Sequence, residues 1–267
     1  MKKLANKLKF LKFQPTDEER PIFIYLPGMD GTGRMLYPQN KYLEKSFDIR
    51  ALVMCPEDLS DWESLADRLI EEIEAELKGK SSCCVYLCGE SFGGCLALKI
   101  ATRSPKLFER VILINPASSF NQFPLLSWGS NIINLMPEWF YQECTGVLLN
   151  FLVAAEKVDF KAKETLSAAM RSVPAKTAAW RLSLLREFAL DDRLLRRLTQ
   201  PVLILAGAKD KLLPSVEEGR RLVSVLPRAQ MLVLPDSGHA CLLEKDINLY
   251  EIIAREHLLE ADLCTKN

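Results

Sequence analysis

Short apolar runs without polar alternation recur along the chain, separated by segments with helical periodicity. Such runs predict strands that are buried on both faces, and the helical segments predict crossovers between parallel strands. The predicted strands are residues 22–26, 47–54, 83–88, 111–115, 201–207 and 231–235. The pattern therefore predicts an α/β fold, with a mostly parallel sheet that carries helices on both faces.

For four helices between and after these strands, the sequence predicts where each helix begins and ends. Ser60 and Glu63 have the spacing of a capping box, and a helix with apolar residues at helical spacing follows as far as Leu77. The other predicted helices cover residues 93–103, 216–226 and 247–259.

Residues 119–200 interrupt the alternation of strands and helices. They contain no convincing strand pattern, but they hold patches rich in Trp, Phe, Leu and Met at 123–140, 146–155 and 177–190. We predict that residues 1–118 and 201–267 form the α/β core and that 119–200 form a helical cap between two core strands. The cap either adds core packing or serves as a lid over an apolar pocket, and its length favours the lid.

Composition limits the classes of partner. The 267 residues are 48% hydrophobic and 26% charged, which is typical of a globular protein with one large domain. The 35 basic residues balance the 35 acidic ones, and no basic-aromatic array is present, so we expect no nucleic-acid partner. The expected partner is a small-molecule substrate, and the sequence leaves the oligomeric state open.

Eight cysteines lie mostly in apolar segments. They are Cys55, Cys83, Cys84, Cys88, Cys95, Cys144, Cys241 and Cys264. A chain of this length needs no disulfide scaffold, so we expect reduced thiols in a cytoplasmic protein. Their spacing does not match a zinc motif, and we expect neither a metal nor a cofactor.

The N-terminus carries five lysines before the first acidic residue, interleaved with Leu and Phe. This pattern is typical of peripheral contact with an anionic membrane surface, but an amphipathic first strand or a frayed terminus explains it more simply. The stretch lacks the long uncharged run of a signal peptide. No run of about 18 apolar residues occurs, so we expect no membrane-spanning helix.

The segment Gly89-Glu90-Ser91-Phe92-Gly93 matches G-x-S-x-G between a predicted strand and a predicted helix. This context is that of a nucleophile elbow, in which the serine occupies a strained bend and glycines avoid collisions on either side. The alternative is an ordinary strand-to-helix turn. We predict that Ser91 is a nucleophile.

A serine nucleophile needs a base and an acid. Of the two histidines, His239 lies in a loop after a predicted strand, whereas His257 lies in a helical pattern and is expected at the surface. Asp210 follows a predicted strand and gives the chain order Ser, Asp, His. Asp236 is the weaker candidate for the acid, because it is only three residues from His239.

The oxyanion of an acyl-transfer intermediate needs two donors. We predict the backbone N–H of Phe92, next to the nucleophile, and the N–H of Met29 in the Gly-rich loop 26–33. A Gly-rich loop also suits phosphate, but this one lacks both the P-loop and the dinucleotide pattern. A plain strand-to-helix turn is the remaining alternative.

The elbow, GAKD at 207–210 and DSGH at 236–239 together resemble the α/β-hydrolase superfamily over nearly the whole chain. Within the first 120 residues, LPGMDGTG, FDIRAL, GESFGGCLAL and VILINPASSF are similar to the hydrolase-like part of plant phytyl ester synthase and diacylglycerol acyltransferase proteins and their cyanobacterial and other bacterial relatives. The plant proteins carry a further acyltransferase-like region after this part. The resemblance implies an α/β-hydrolase fold and acyl-ester chemistry on lipid-like substrates, with Ser91, Asp210 and His239 at the matching motif positions.

These residues together predict a lipase-like serine esterase that cleaves acyl esters through an acyl-enzyme on Ser91. The nearest alternative is an acyltransferase that moves a fatty acyl group to a lipid alcohol, because both reactions share the acyl-enzyme. A ligand-binding protein on a hydrolase scaffold is an alternative of another class.

Overall fold

The computed structural model describes residues 8–17, 19–78, 84–122, 132–133, 135–154 and 156–259. These residues form a seven-stranded sheet with the order β1-β3-β2-β4-β5-β6-β7. The strands are β1 Lys9–Lys12, β2 Ile22–Leu26, β3 Asp48–Val53, β4 Val85–Glu90, β5 Arg110–Ile114, β6 Val202–Gly207 and β7 Ala229–Leu234. Only β1 runs antiparallel to its neighbour among the described strands. The predicted mostly parallel sheet is confirmed.

Helices cover both faces of this sheet. They are α1 Tyr37–Leu43, α2 Trp62–Leu77, α3 Phe92–Arg103, α4 Glu138–Leu152, α5 Phe160–Arg171, α6 Ala175–Glu187, α7 Asp192–Leu195, α8 Ser215–Val225 and α9 Leu249–Arg255. Because side chains alternate across a strand, Ile24 of β2 packs in the core with α2 and α3, whereas Phe23 packs in the opposite core with α1 and α9. Both faces are therefore apolar, which explains the unbroken apolar strands of the sequence.

Strand predictions hold to within two residues at each end, and the helix after the elbow is confirmed as α3. The capping-box prediction at Ser60 is wrong. The side chain of Asp61 caps α2 by accepting the Ser64 N–H at 2.8 Å. Ser60 instead donates its hydroxyl to Asp58 at 2.5 Å, and its oxygen accepts a hydrogen bond from the Arg68 side chain at 2.7 Å rather than from a backbone N–H of the helix.

The N-terminal segment becomes an edge strand from Lys9 onward, paired antiparallel with β3. For residues 9–12, the structure therefore agrees with the predicted amphipathic first strand. Residues 1–7 of the lysine-rich stretch lie outside the described part. Each helix that the structure describes is too short or too polar to cross a lipid bilayer.

Between β5 and β6, the described residues contain the helices α4 to α7 and no strand. Helix α4 packs on α5, a helix that the apolar patches did not indicate. Residues 123–131 of the first predicted patch lie outside the described part. Helix α4 ends against the loop after β7, where Leu152 C=O accepts the N–H of Ala240 at 2.8 Å. This packing places α4 directly over the loop that carries His239.

Candidate active site

Ser91 occupies the turn between β4 and α3 with φ 53° and ψ −115°. A positive φ is unfavourable for a residue with a side chain and persists only where the surroundings enforce it. Here the Ser91 N–H donates to the C=O of Ile114 at 2.9 Å, and the Ser91 C=O accepts the N–H of Ala117 at 3.1 Å. The end of β5 therefore holds the bend from both sides.

Glycine is required on both sides of this bend because backbone atoms approach closely. A Cβ on Gly89 would lie 2.4 Å from the C=O oxygen of Gly93, and a Cβ on Gly93 would lie 2.1 Å from that of Leu26. Real Cβ atoms essentially never approach other atoms below 3.0 Å. The two glycines of the motif thus permit α3 to pack tightly behind the serine.

The structure brings Ser91, His239 and Asp210 into one hydrogen-bonded chain. His239 Nε2 lies 2.8 Å from Ser91 Oγ, and His239 Nδ1 lies 2.7 Å from Asp210 Oδ2. The two rejected candidates lie elsewhere: Asp236 forms an exposed ion pair with Lys209 at 2.7 Å, and His257 is exposed beyond the end of α9. The structure therefore brings together the three residues that the sequence predicts for the site, and their catalytic roles stay a prediction.

Asp210 is held by more hydrogen bonds than the one to His239. Its Oδ1 accepts the N–H groups of Leu212 at 2.8 Å and Leu213 at 3.0 Å, and its Oδ2 accepts the Ser215 hydroxyl at 2.5 Å. Burial opposes ionisation of this carboxyl, but the neighbouring imidazole and the hydrogen bonds lower its pKa. The acid is thus ionised and fixed in orientation.

His239 is buried, with 4% of its surface exposed. Burial disfavours the imidazolium, but the Asp210 carboxylate and its hydrogen bond outweigh this and raise the pKa of His239 above its usual value. With Nδ1–H donated to Asp210, the unprotonated Nε2 faces the Ser91 hydroxyl. This tautomer suits a base that takes a proton from serine.

The predicted oxyanion donors border the same space. Phe92 is the first residue of α3, where a helix leaves its backbone N–H without an intrahelical acceptor. Met29 lines the cavity that contains Ser91, and a Cβ on the adjacent Gly28 would lie 3.8 Å from Ser91 Cβ. The loop backbone therefore lies next to the serine, and its role as a donor remains a prediction.

Sequence reasoning missed Arg181, which ties the cap to this loop. Arg181 of α6 is 2% exposed, and it donates to the C=O groups of Met29 at 2.5 Å and Cys55 at 3.2 Å. Burial lowers the pKa of the guanidinium, while the charge of Asp30 opposes this shift. A single arginine in an amphipathic helix gives no sequence signal for such a role.

A buried acid directly before the nucleophile was also missed. Glu90 is 4% exposed, and its carboxylate accepts a hydrogen bond from the Tyr25 hydroxyl. Burial raises the pKa of Glu90 to about 7, against the hydrogen bond from Tyr25, which lowers it. Its place directly after an apolar run and before Ser91 was the available signal in the sequence.

A largely apolar cavity of about 340 Å³ opens onto Ser91 and His239. Much of its wall comes from the segment between β5 and β6, through Leu148, Leu152, Leu166, Met170, Leu182 and Leu185. A more polar cavity of about 460 Å³ borders α1 and α5, but neither Ser91 nor His239 lines it. The cavity at Ser91 suits a hydrocarbon chain whose polar end reaches the serine hydroxyl.

A mostly parallel sheet with a serine elbow, an acid and a histidine at the carboxyl ends of its strands defines a hydrolase-type enzyme. A family model described as alpha/beta hydrolase fold matches residues 60–246. The chain belongs to this family, as the resemblance in the sequence indicated.

Two curated relatives are plant proteins. Phytyl ester synthase 1, chloroplastic, from Arabidopsis thaliana is 33% identical over 90% of this chain and 38% of its own length. Phytyl ester synthase 2, chloroplastic, from the same plant is 28% identical over 87% of this chain and 37% of its own length. The chain thus spans less than two fifths of these relatives.

Among solved structures, an esterase from Exiguobacterium antarcticum is similar with a TM-score of 0.73. The similarity covers 94% of this chain and 95% of the esterase at 17% sequence identity. At this identity the likeness supports the fold alone.

Proposed function

We propose that the protein hydrolyses carboxylic esters through an acyl-enzyme on Ser91. The observation that carries this proposal is the position of His239, which bridges Ser91 Oγ at 2.8 Å and Asp210 Oδ2 at 2.7 Å. These distances lie within the range for a nucleophile, its base and the group that orients the base. The apolar cavity at Ser91 supports an ester with a hydrocarbon acyl chain.

Acylation begins when His239 Nε2 takes the proton of the Ser91 hydroxyl as Oγ attacks the acyl carbonyl carbon. The carbonyl oxygen becomes an oxyanion, which we assign to the N–H groups of Phe92 and Met29. Asp210 stabilises the imidazolium that forms. Collapse of the intermediate breaks the ester C–O bond, and His239 returns its proton to the departing alkoxide, which leaves as the alcohol.

Deacylation repeats these steps with a second nucleophile. His239 takes a proton from water, the hydroxide adds to the acyl carbon, and the collapse returns the proton to Ser91 Oγ as the free acid leaves. Apart from the ester and water, the proposed reaction uses only the chain's own residues.

Acyl transfer is the second candidate, with a lipid alcohol in the place of water. Two observations favour it: the apolar wall supplied by α4, α5 and α6 limits water near the acyl-enzyme, and the curated relatives are phytyl ester synthases. In this reading, residues 119–200 act as the lid that keeps water from the acyl-enzyme.

Reaction with a fluorophosphonate probe and turnover of p-nitrophenyl esters test the nucleophile and the base. Ser91→Ala is expected to abolish both signals, and His239→Ala to lower them at least about 10³-fold. His257→Ala is the matched control, because it removes the other histidine at an exposed site. Turnover that survives Ser91→Ala, or equal losses in the two histidine variants, would overturn the assignment.

Product analysis separates hydrolysis from transfer. The protein is incubated with acyl donors of increasing chain length, with and without a long-chain alcohol. Free acid in both conditions supports the hydrolase, whereas a new ester that forms only with the alcohol and disappears in Ser91→Ala supports the transferase.

A further inference from the structure

Asn115 directly follows β5 and is fully buried. Its backbone has φ 43°, in the left-handed region that asparagine tolerates better than most residues with a side chain. A polar side chain in an apolar core is unfavourable unless every donor and acceptor is paired. The partners of the Asn115 amide therefore indicate what this residue does.

The amide of Asn115 joins two loops that are distant in sequence. Its Oδ1 accepts the N–H of Gly207 at 2.8 Å. Its Nδ2 donates to the C=O of His239 at 2.6 Å and to that of Gly238 at 3.2 Å. The oxygen thus holds the end of the strand that leads to Asp210, and the nitrogen holds the backbone of His239 itself.

The same strand end also contacts the serine. Ile114, the residue before Asn115, accepts the N–H of Ser91 through its C=O at 2.9 Å. The backbone around Ser91, the start of the Asp210 loop and the backbone of His239 are all bonded to two consecutive residues, Ile114 at the end of β5 and Asn115 directly after it. Among the described residues, Asn115 is the side chain that hydrogen-bonds to the backbones of both Gly207 and His239.

We propose that Asn115 is a positioning residue that fixes the spacing between Asp210 and His239, and through it the approach of the imidazole to Ser91. This inference rests on the proposed function for its effect on turnover, but not for its effect on His239. An amide is required because one end must accept and the other must donate. A carboxylate in its place retains the acceptor for Gly207 but faces two carbonyl oxygens without a proton.

Loss of the amide removes one of the links between the His239 loop and the Asp210 loop, whereas every side chain that α4 to α6 contribute to the cavity wall is kept. Displacements of about 1 Å at a reacting centre reduce rates by about 10²-fold. We therefore expect kcat to fall by about this factor in Asn115→Asp and Asn115→Gly, with KM close to the wild-type value. Asn115→Gly retains the left-handed backbone, so it tests the amide even if the buried charge of the aspartate variant prevents folding.

Asn121→Asp is the matched control. Asn121 also donates its Nδ2 to a backbone carbonyl, that of Phe188 at 2.9 Å, but it contacts neither loop of the site. Its kcat is expected to equal that of the wild type. In an Asp210→Asn background, Asn115→Gly should cost little further activity. The carboxylate that Asn115 positions against His239 is already absent from that background. Equal losses of kcat in both backgrounds would show a general structural role and overturn the inference.

A second measurement does not depend on turnover. The chain has two histidines, so an NMR titration of the imidazoles resolves His239 from His257. The pKa of His239 is raised by Asp210, and Glu90 adds to this effect. Asn115→Gly should lower the pKa of His239. If the wild type shows no esterase activity but this shift occurs, the proposed function fails and the positioning role stands. If the pKa and kcat both stay at their wild-type values in a folded Asn115→Gly variant, the positioning role is wrong.

Discussion

A methyl group at Gly93 tests how tightly the elbow is packed. The Cβ of Gly93→Ala would lie 2.1 Å from the C=O oxygen of Leu26 and 2.6 Å from that of Pro27. The first distance is 1.3 Å short of the 3.4 Å at which ordinary contact begins. Both atoms belong to the backbone at the end of β2, so no side chain can rotate away to relieve the overlap.

The overlap has two measurable consequences. Overpacking of a core usually costs about 1–3 kcal/mol, and a backbone clash belongs at the upper end of this range. Because each kcal/mol lowers Tm by roughly 2–4 °C in a chain of this size, we expect a drop of several degrees. Relief requires α3 and Ser91 to move away from the loop of Met29, and a shift of about 1 Å there reduces kcat by about 10²-fold.

Gly146→Ala is the matched control for the same chemical change. Gly146 lies inside α4, and apart from its own helix backbone and chain neighbours a Cβ there would meet no atom of the described residues within 4 Å. Alanine is favoured over glycine in a helix by up to about 1 kcal/mol, so this variant should be slightly more stable and equally active.

Thermal unfolding and the rate of fluorophosphonate labelling measure the two effects in both variants. A Gly93→Ala protein with the Tm and labelling rate of the wild type would refute the packing argument. Equal losses in the two variants would show that the added methyl group itself, rather than its place at the elbow, is responsible.

The remaining predictions concern pH and stability. His239 must be neutral to act as a base, and Asp210 raises its pKa. We therefore expect kcat/KM to rise with pH along a limb whose midpoint lies above the usual histidine pKa of about 6.5. In Asp210→Asn this limb should move to lower pH and its plateau should fall, whereas an unmoved limb would show that another group controls it. Arg50 is 1% exposed and pairs with the buried Asp48, so Arg50→Met should remove the cation from a buried ion pair and cost about 3–5 kcal/mol in urea unfolding. A decrease in the free energy of unfolding of less than about 1 kcal/mol would contradict this prediction.

The sheet was readable from the sequence because its strands are buried on both faces and therefore unbroken in their apolar character. Ser91 could be predicted as a site residue because it stands between glycines at a strand end, and His239 because the chain has only two histidines. The N-cap at Asp61 was less readable, since Asp58, Ser60 and Asp61 are all good capping residues. The hydrogen bond from Ser60 to Asp58 decides which one caps the helix.

The supporting contacts of the site give no comparable signal. Asn115 lies 92 residues from Gly207 and 124 from His239, and Arg181 lies 152 residues from Met29. Asn115 lies in the stretch VILINPASSF and Arg181 in an amphipathic helix, and neither stretch shows which distant backbone group its polar side chain will bond. Long-range pairing of single polar groups is decided by the assembled fold, so periodicity and turn chemistry cannot reveal it.

Sheet order nevertheless explains why such a residue occurs at the end of β5. The serine follows β4 and the acid follows β6, and β5 is the strand that adjoins both. Parallel strands end at a common edge, so the residue after β5 lies between the nucleophile and the acid, with the loop after β7 folded over it. A fully apolar side chain at this point would leave the N–H of Gly207 and the C=O of His239 without their present partner. An amide satisfies both groups at once, and in doing so it sets the distance between the acid and the base.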